Sequence, residues 1–107
     1  MEPLLVLTNL PDAASAETLA TALIDHRAAA CVNVLAPCRS IYRWQGRLET
    51  AAEIPLLIKT SVANYPLVEQ IVRSQHPYDV PELIAIPITH GLPAYLDWLA
   101  TETDPHE

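Results

Sequence analysis

The sequence predicts an α+β fold: two helices on one face of an antiparallel sheet, in a split β-α-β order, with an extra helix at the C-terminus. Three observations carry this reading. Apolar runs of strand length stand at residues 4–7, 54–58 and 83–88. Two stretches between them place apolar residues at helical spacing. Prolines, two glycines and Asn/Asp clusters separate these segments at turn positions. At 107 residues the chain makes one domain, residues 1–107.

The elements follow in order. Residues 4–7 form a buried strand that ends at Asn9-Leu10-Pro11-Asp12. Asp12 is a good N-cap, because its carboxylate can accept from backbone N–H groups of the first turn. Ala16, Leu19, Ala20, Leu23 and Ile24 then give one apolar helical face, and the helix should run to about Arg27. A second strand is expected from Cys31 to Trp44, interrupted at Ala36-Pro37. Gln45-Gly46 turns the chain, and residues 47–60 return as a third strand. Pro55 within it has no N–H to donate and marks an edge or a bulge. Pro66 suits the first turn of a second helix, whose inward residues are Leu67, Val68, Ile71 and Val72. It should stop before His76-Pro77. A fourth strand spans 83–88, His90-Gly91 turns, and Pro93 opens a last helix carrying Tyr95, Leu96, Trp98 and Leu99. The tail 103–107 is expected to fray. This order matches the ferredoxin-like sandwich.

A sheet with helices on one face should be polar on the other if that face meets water. Here the strand cores are apolar at consecutive positions, so both faces are apolar. Leaving several hundred Å² of that surface wet would forgo about 10 kcal/mol at ~25 cal/mol per Å². Other copies of the chain are therefore expected to cover it.

The formal charge of −7 argues against a nucleic-acid partner, which needs a basic surface. No apolar run reaches the ~20 residues of a membrane span. The opening MEPLLVLTNL lacks a basic n-region and a small-residue cleavage site, so a cytoplasmic protein is expected. Cys31 and Cys38, if on one strand, lie about 23 Å apart at ~3.3 Å per residue, too far for a disulfide. Two free thiols and a reducing compartment follow. There is no Gly-rich phosphate loop and no Cys-His or Ser-His-Asp signature, so no enzyme is read and no obligatory cofactor is expected.

The segments AAACVNVL (28–35), SIYRWQGRLE (40–49), LLIKT (56–60), HPYDVPELIAIPITHG (76–91) and YLDWL (95–99) closely resemble the CutA divalent-cation tolerance family. The match runs from about residue 4 to 99. The resemblance implies a ferredoxin-like fold in a tight homotrimer, related in architecture to the PII signalling trimers. It also implies a role in tolerance of copper and other divalent metals, with copper bound by some members. Three family features differ here. Thr8 and Gln75 stand where some bacterial members have a cysteine and a histidine, and Ala36-Pro37 replaces the common Pro-Gly. Cys31 matches the family cysteine, and Cys38 is additional.

The site candidates each have a plain structural reading beside the functional one. His76 can cap the end of the second helix or offer an imidazole to a metal. Cys31 can pack as a small hydrophobe or act as a soft thiolate ligand. These two are the metal candidates. Tyr42 and Trp44 share one strand face near a hairpin tip. Lys59 ends an apolar strand and needs a counter-ion, for which Glu82 is the candidate. With Tyr78, these residues are expected to line a pocket between subunits. The reading is a non-enzymatic homotrimer in copper and divalent-metal tolerance, binding metal weakly or presenting a surface to a partner. The alternative is a small-molecule sensor with ligands in those clefts.

Overall fold

The computed structural model describes residues 1–105. Its elements are β1 (Pro3–Leu10), α1 (Ala13–Asp25), β2 (Cys31–Val34), β3 (Cys38–Trp44), β4 (Arg47–Ser61), α2 (Tyr65–Gln75), β5 (Ile84–Pro87) and α3 (Pro93–Glu102). All pairings are antiparallel, and the main sheet runs β2-β4-β1-β5. The outer half of β4 leaves this sheet and pairs with β3, from Cys38↔Glu53 to Trp44↔Arg47. One 15-residue strand thus serves two sets of partners.

Strict alternation along β1 and β4 builds the core. Leu4, Val6, Thr8 and Leu10 are buried on one face of β1, and Ile54, Leu56, Ile58 and Thr60 on the matching face of β4. Against them pack Ala16, Leu19 and Leu23 of α1 and Val68, Ile71 and Val72 of α2. The buried stripe of α1 is narrower than its periodicity implies, since Ile24 is exposed. Asp12 caps α1 as expected, its Oδ1 accepting from the Ser15 N–H at 2.8 Å. The helix ends earlier than expected, at Asp25, because Arg27 takes a left-handed backbone (φ 55°).

The sequence expectation of one interrupted second strand resolves into two, β2 and β3, separated at residues 35–37. Pro37 and the change of β4 partner segment coincide there. Cys31 pairs with Lys59 and Cys38 with Glu53, so the thiols stay apart, and both are free. Gln45 and Gly46 both have positive φ, 50° and 79°, the geometry of a two-residue type I′ hairpin turn. The β3–β4 arm leaves Ile41, Trp44 and Leu48 exposed.

The tail departs from expectation. Thr103 is buried, and its carbonyl accepts from Asn64 Nδ2 at 2.9 Å. Arg27 Nη1 donates to the carbonyls of Thr101, Glu102 and Asp104. A guanidinium beside the last carbonyls of α3 suits the negative end of its dipole and ties the chain down. His106 and Glu107 of the expected frayed tail lie outside the described residues.

The sheet face away from α1 and α2 carries Leu5, Leu7, Leu57, Ile84 and Ile86, as the register of β1, β4 and β5 requires. Ile84 and Ile86 remain 50% and 47% exposed. Leu99 of α3 is fully buried, while Tyr95 and Trp98 stay partly exposed.

Candidate functional site

The connector between α2 and β5 brings the site together. His76 is only 8% exposed, and both ring nitrogens are engaged. Its Nδ1 accepts from the Tyr78 N–H at 3.1 Å, and its Nε2 lies 2.7 Å from the Asn9 carbonyl. The neutral tautomer with the proton on Nε2 satisfies both. His76 therefore joins the connector to the end of β1. Its side chain does not cap the carbonyls of α2, because both ring nitrogens are taken by Asn9 and Tyr78. The Tyr78 ring sits against it, centroids 4.9 Å apart.

From His76 two hydrogen-bonded branches reach a cleft of about 380 Å³. On one, Asn9 Nδ2 donates to Glu82 Oε1 at 3.1 Å. On the other, Tyr78 Oη donates to Glu53 Oε2 at 3.2 Å. The cleft walls are Tyr42, Trp44, Glu53, Tyr78, Asp79, Val80 and Glu82. Burial raises the Tyr78 phenol pKa above its ordinary 10.0, and the Glu53 charge and hydrogen bond push the same way. Among the pocket candidates from the sequence, Tyr42, Trp44, Tyr78 and Glu82 meet here.

Lys59 does not. It pairs with Leu5 on β1, whereas Glu82 bonds Asn9. Four residues of β1 separate those positions, about 13 Å at the usual strand rise. The expected Lys59–Glu82 ion pair is thus replaced. Lys59 Nζ donates to Asn33 Oδ1 on β2, its diagonal neighbour beside the direct cross-strand partner Cys31.

Cys31 is half-buried on the face away from α1 and α2, level with Lys59. Tyr95 of α3 lies near it, and the Tyr95 phenol is raised by burial first and by the Cys31 charge second. His76 meets β1 at Asn9, four residues beyond Leu5, so Cys31 and His76 are not brought together. Thr8 is buried on the helix-facing side of β1, its hydroxyl without a partner among the described residues. No group of three or more His, Cys, Asp or Glu able to hold a metal forms among the described residues. The metal candidates therefore do not fit a shared chelating site within one chain.

Sequence reasoning missed Glu53 and Asn9; Asp79 stands out in the sequence with His76, Tyr78 and Glu82 in the polar stretch between Pro77 and Pro81 and its flank. Glu53 was accessible from pairing arithmetic. A two-residue turn at 45–46 sets 44 opposite 47, and so 42 opposite 49 and 38 opposite 53, all on one face. Asn9 gives no such local signal.

Residues 4–102 match the model of the CutA1 divalent ion tolerance protein family. The chain belongs to that family. The divalent-cation tolerance protein CutA of Thermus thermophilus is 45% identical over 98 residues, covering 92% of this chain and 95% of that protein. The crystal structure of CutA from Xylella fastidiosa superposes with a TM-score of 0.94 at 42% identity, covering 97% of this chain and all of the other (100%). The Archaeoglobus fulgidus structure, described as a periplasmic divalent cation tolerance protein CutA, is 32% identical with a TM-score of 0.93. It covers 95% of this chain and 99% of its own. These CutA relatives share the mixed α+β architecture of an antiparallel sheet and three helices. Among the described residues, no helix is long and apolar enough to cross a membrane.

Proposed function

We propose that this CutA chain acts in divalent-cation tolerance as a non-enzymatic, cytoplasmic homotrimer of ferredoxin-like subunits. The supporting observation is the sheet face that α1 and α2 leave uncovered. Leu5, Leu7, Leu57, Ile84 and Ile86 form a contiguous apolar patch there, and its edge strand β5 is half exposed. A patch of that kind marks an interaction surface. The strand order β2-β4-β1-β5 supports the ferredoxin-like reading.

Copper is the proposed metal, bound weakly. Cys31 would supply a thiolate, the ligand type that favours copper(I). A role for His76 would require one of its two hydrogen bonds to open. Titration calorimetry with copper and zinc on wild type, Cys31→Ser and His76→Ala tests the metal role; three identical null isotherms would remove it. Sedimentation of Leu57→Lys tests the assembly. The variant should run as a folded monomer where the wild type runs as a trimer, and a wild-type monomer at micromolar concentration refutes it.

A second reading is favoured by the cleft of Tyr42, Trp44, Tyr78 and Glu82: a small-molecule sensor whose ligand sits there.

A further inference from the structure

We propose that the cleft between the β3–β4 arm and the α2–β5 connector binds a small soluble organic ammonium ion. The proposal rests on the sensor reading and names its ligand class. Three aromatic rings, Tyr42, Trp44 and Tyr78, line the cleft and keep between 36% and 52% of their surface open. Three carboxylates, Glu53, Asp79 and Glu82, line it with them, and no lysine or arginine does among the described residues.

The chemistry of these walls selects among ligands. Anions are opposed by three carboxylates with no basic partner in the cleft. A hard divalent cation needs several oxygens converging on one point. These carboxylates do not converge so, since no metal-holding group forms among the described residues. Two of them are also committed, Glu53 to the Tyr78 hydroxyl and Glu82 to Asn9. What remains attractive is a large, weakly hydrated cation, drawn by the negative field and held against the faces of tryptophan and tyrosine. Asp79 has no hydrogen-bond or ion-pair partner among the described residues, so its carboxylate is open to such a ligand. The His76 network holds both walls in place before the ligand arrives, which limits the ordering entropy lost on binding.

Three isosteres test the class on the full-length protein: choline, the neutral 3,3-dimethyl-1-butanol and the anionic 3,3-dimethylbutyrate. The readout is the Trp44 indole N–H resonance, assigned with Trp44→Leu, with Trp98 as internal control. Choline should shift Trp44 saturably and bind at least about tenfold more tightly than the neutral isostere. Asp79→Asn should weaken choline about fivefold without moving the far-ultraviolet spectrum or the Trp98 signal, and Trp44→Leu should weaken it at least as much in calorimetry. Equal binding of choline and the neutral isostere overturns the proposal, as does an unchanged affinity in Asp79→Asn. Preference for the anion overturns the ammonium assignment and leaves the sensor reading standing. No response of Trp44 to any of the three overturns both.

Discussion

Replacing His76 by alanine separates a structural histidine from a metal ligand. The substitution removes two hydrogen bonds, Nε2–H to the Asn9 carbonyl at 2.7 Å and the Tyr78 N–H to Nδ1 at 3.1 Å. Each is worth about 1 kcal/mol net, and a backbone group left without a partner costs about 1–3 kcal/mol in proportion to its burial. The ring also packs on Tyr78 and is nearly inaccessible to solvent. Water can reach the connector, so the lower end of that range applies, and a loss of about 3 kcal/mol is expected. With a urea slope of about 2 kcal/mol/M, the unfolding midpoint should fall by about 1.5 M. The measurement is urea unfolding at one fixed protein concentration, because assembly contributes to apparent stability. His76→Gln provides the control. Its amide can both donate to Asn9 and accept from Tyr78, so it should recover about half of the loss. A His76→Ala midpoint within about 0.2 M of wild type would refute the structural role. If copper binding vanished in that same stable variant, the imidazole would be a ligand after all.

Two further predictions concern titration. Glu53→Gln should lower the Tyr78 phenol pKa toward its ordinary 10.0 without reaching it, because burial, the largest cause, remains. Since the folded pKa is raised, the stability associated with Tyr78 is present below pH 10.0 and is lost as the pH climbs through the folded value. Ultraviolet difference titration, referenced to Tyr78→Phe, reads this directly, and an unchanged Tyr78 titration in Glu53→Gln contradicts the hydrogen bond. Asp12 behaves in the opposite sense. Its carboxyl is held below 3.8, first by the Ser15 backbone N–H and then by the Ser15 side chain. The stability it lends is present above 3.8 and is lost as the pH falls through the lower folded value. Asp12→Asn keeps a capping oxygen without the charge, so its unfolding profile should be flatter in acid; the same acid slope as wild type would show that the cap does not titrate with the fold.

The element order was legible because its signals are local. Asp12 before a helical stripe, Pro66 and Pro93 in first turns, and Gln45-Gly46 between two strands each act within a few residues of their own position. The uncovered apolar face was legible too, since consecutive apolar residues on an extended strand must point both ways. Tyr42 and Trp44 followed from the same alternation.

The arrangement of the site was only partly legible, and Lys59 shows why. Lys59 and Glu82 lie near ends of neighbouring apolar runs in the chain, but the antiparallel register sets Leu7 opposite Ile84 and Leu5 opposite Lys59. Register alone decides that Glu82 meets Asn9 and that Lys59 turns to Asn33. His76 likewise belonged to α2 by sequence and to β1 by contact. By itself, then, the sequence determined which segments are helix or strand and that the sheet is apolar on both sides, since these depend on neighbours a few residues away. Only the tertiary structure decided that residues 42–53 and 76–82 enclose the cleft within one chain, with Glu53 in its wall and Lys59 outside it, because pairing register and a buried histidine bridge couple positions dozens of residues apart.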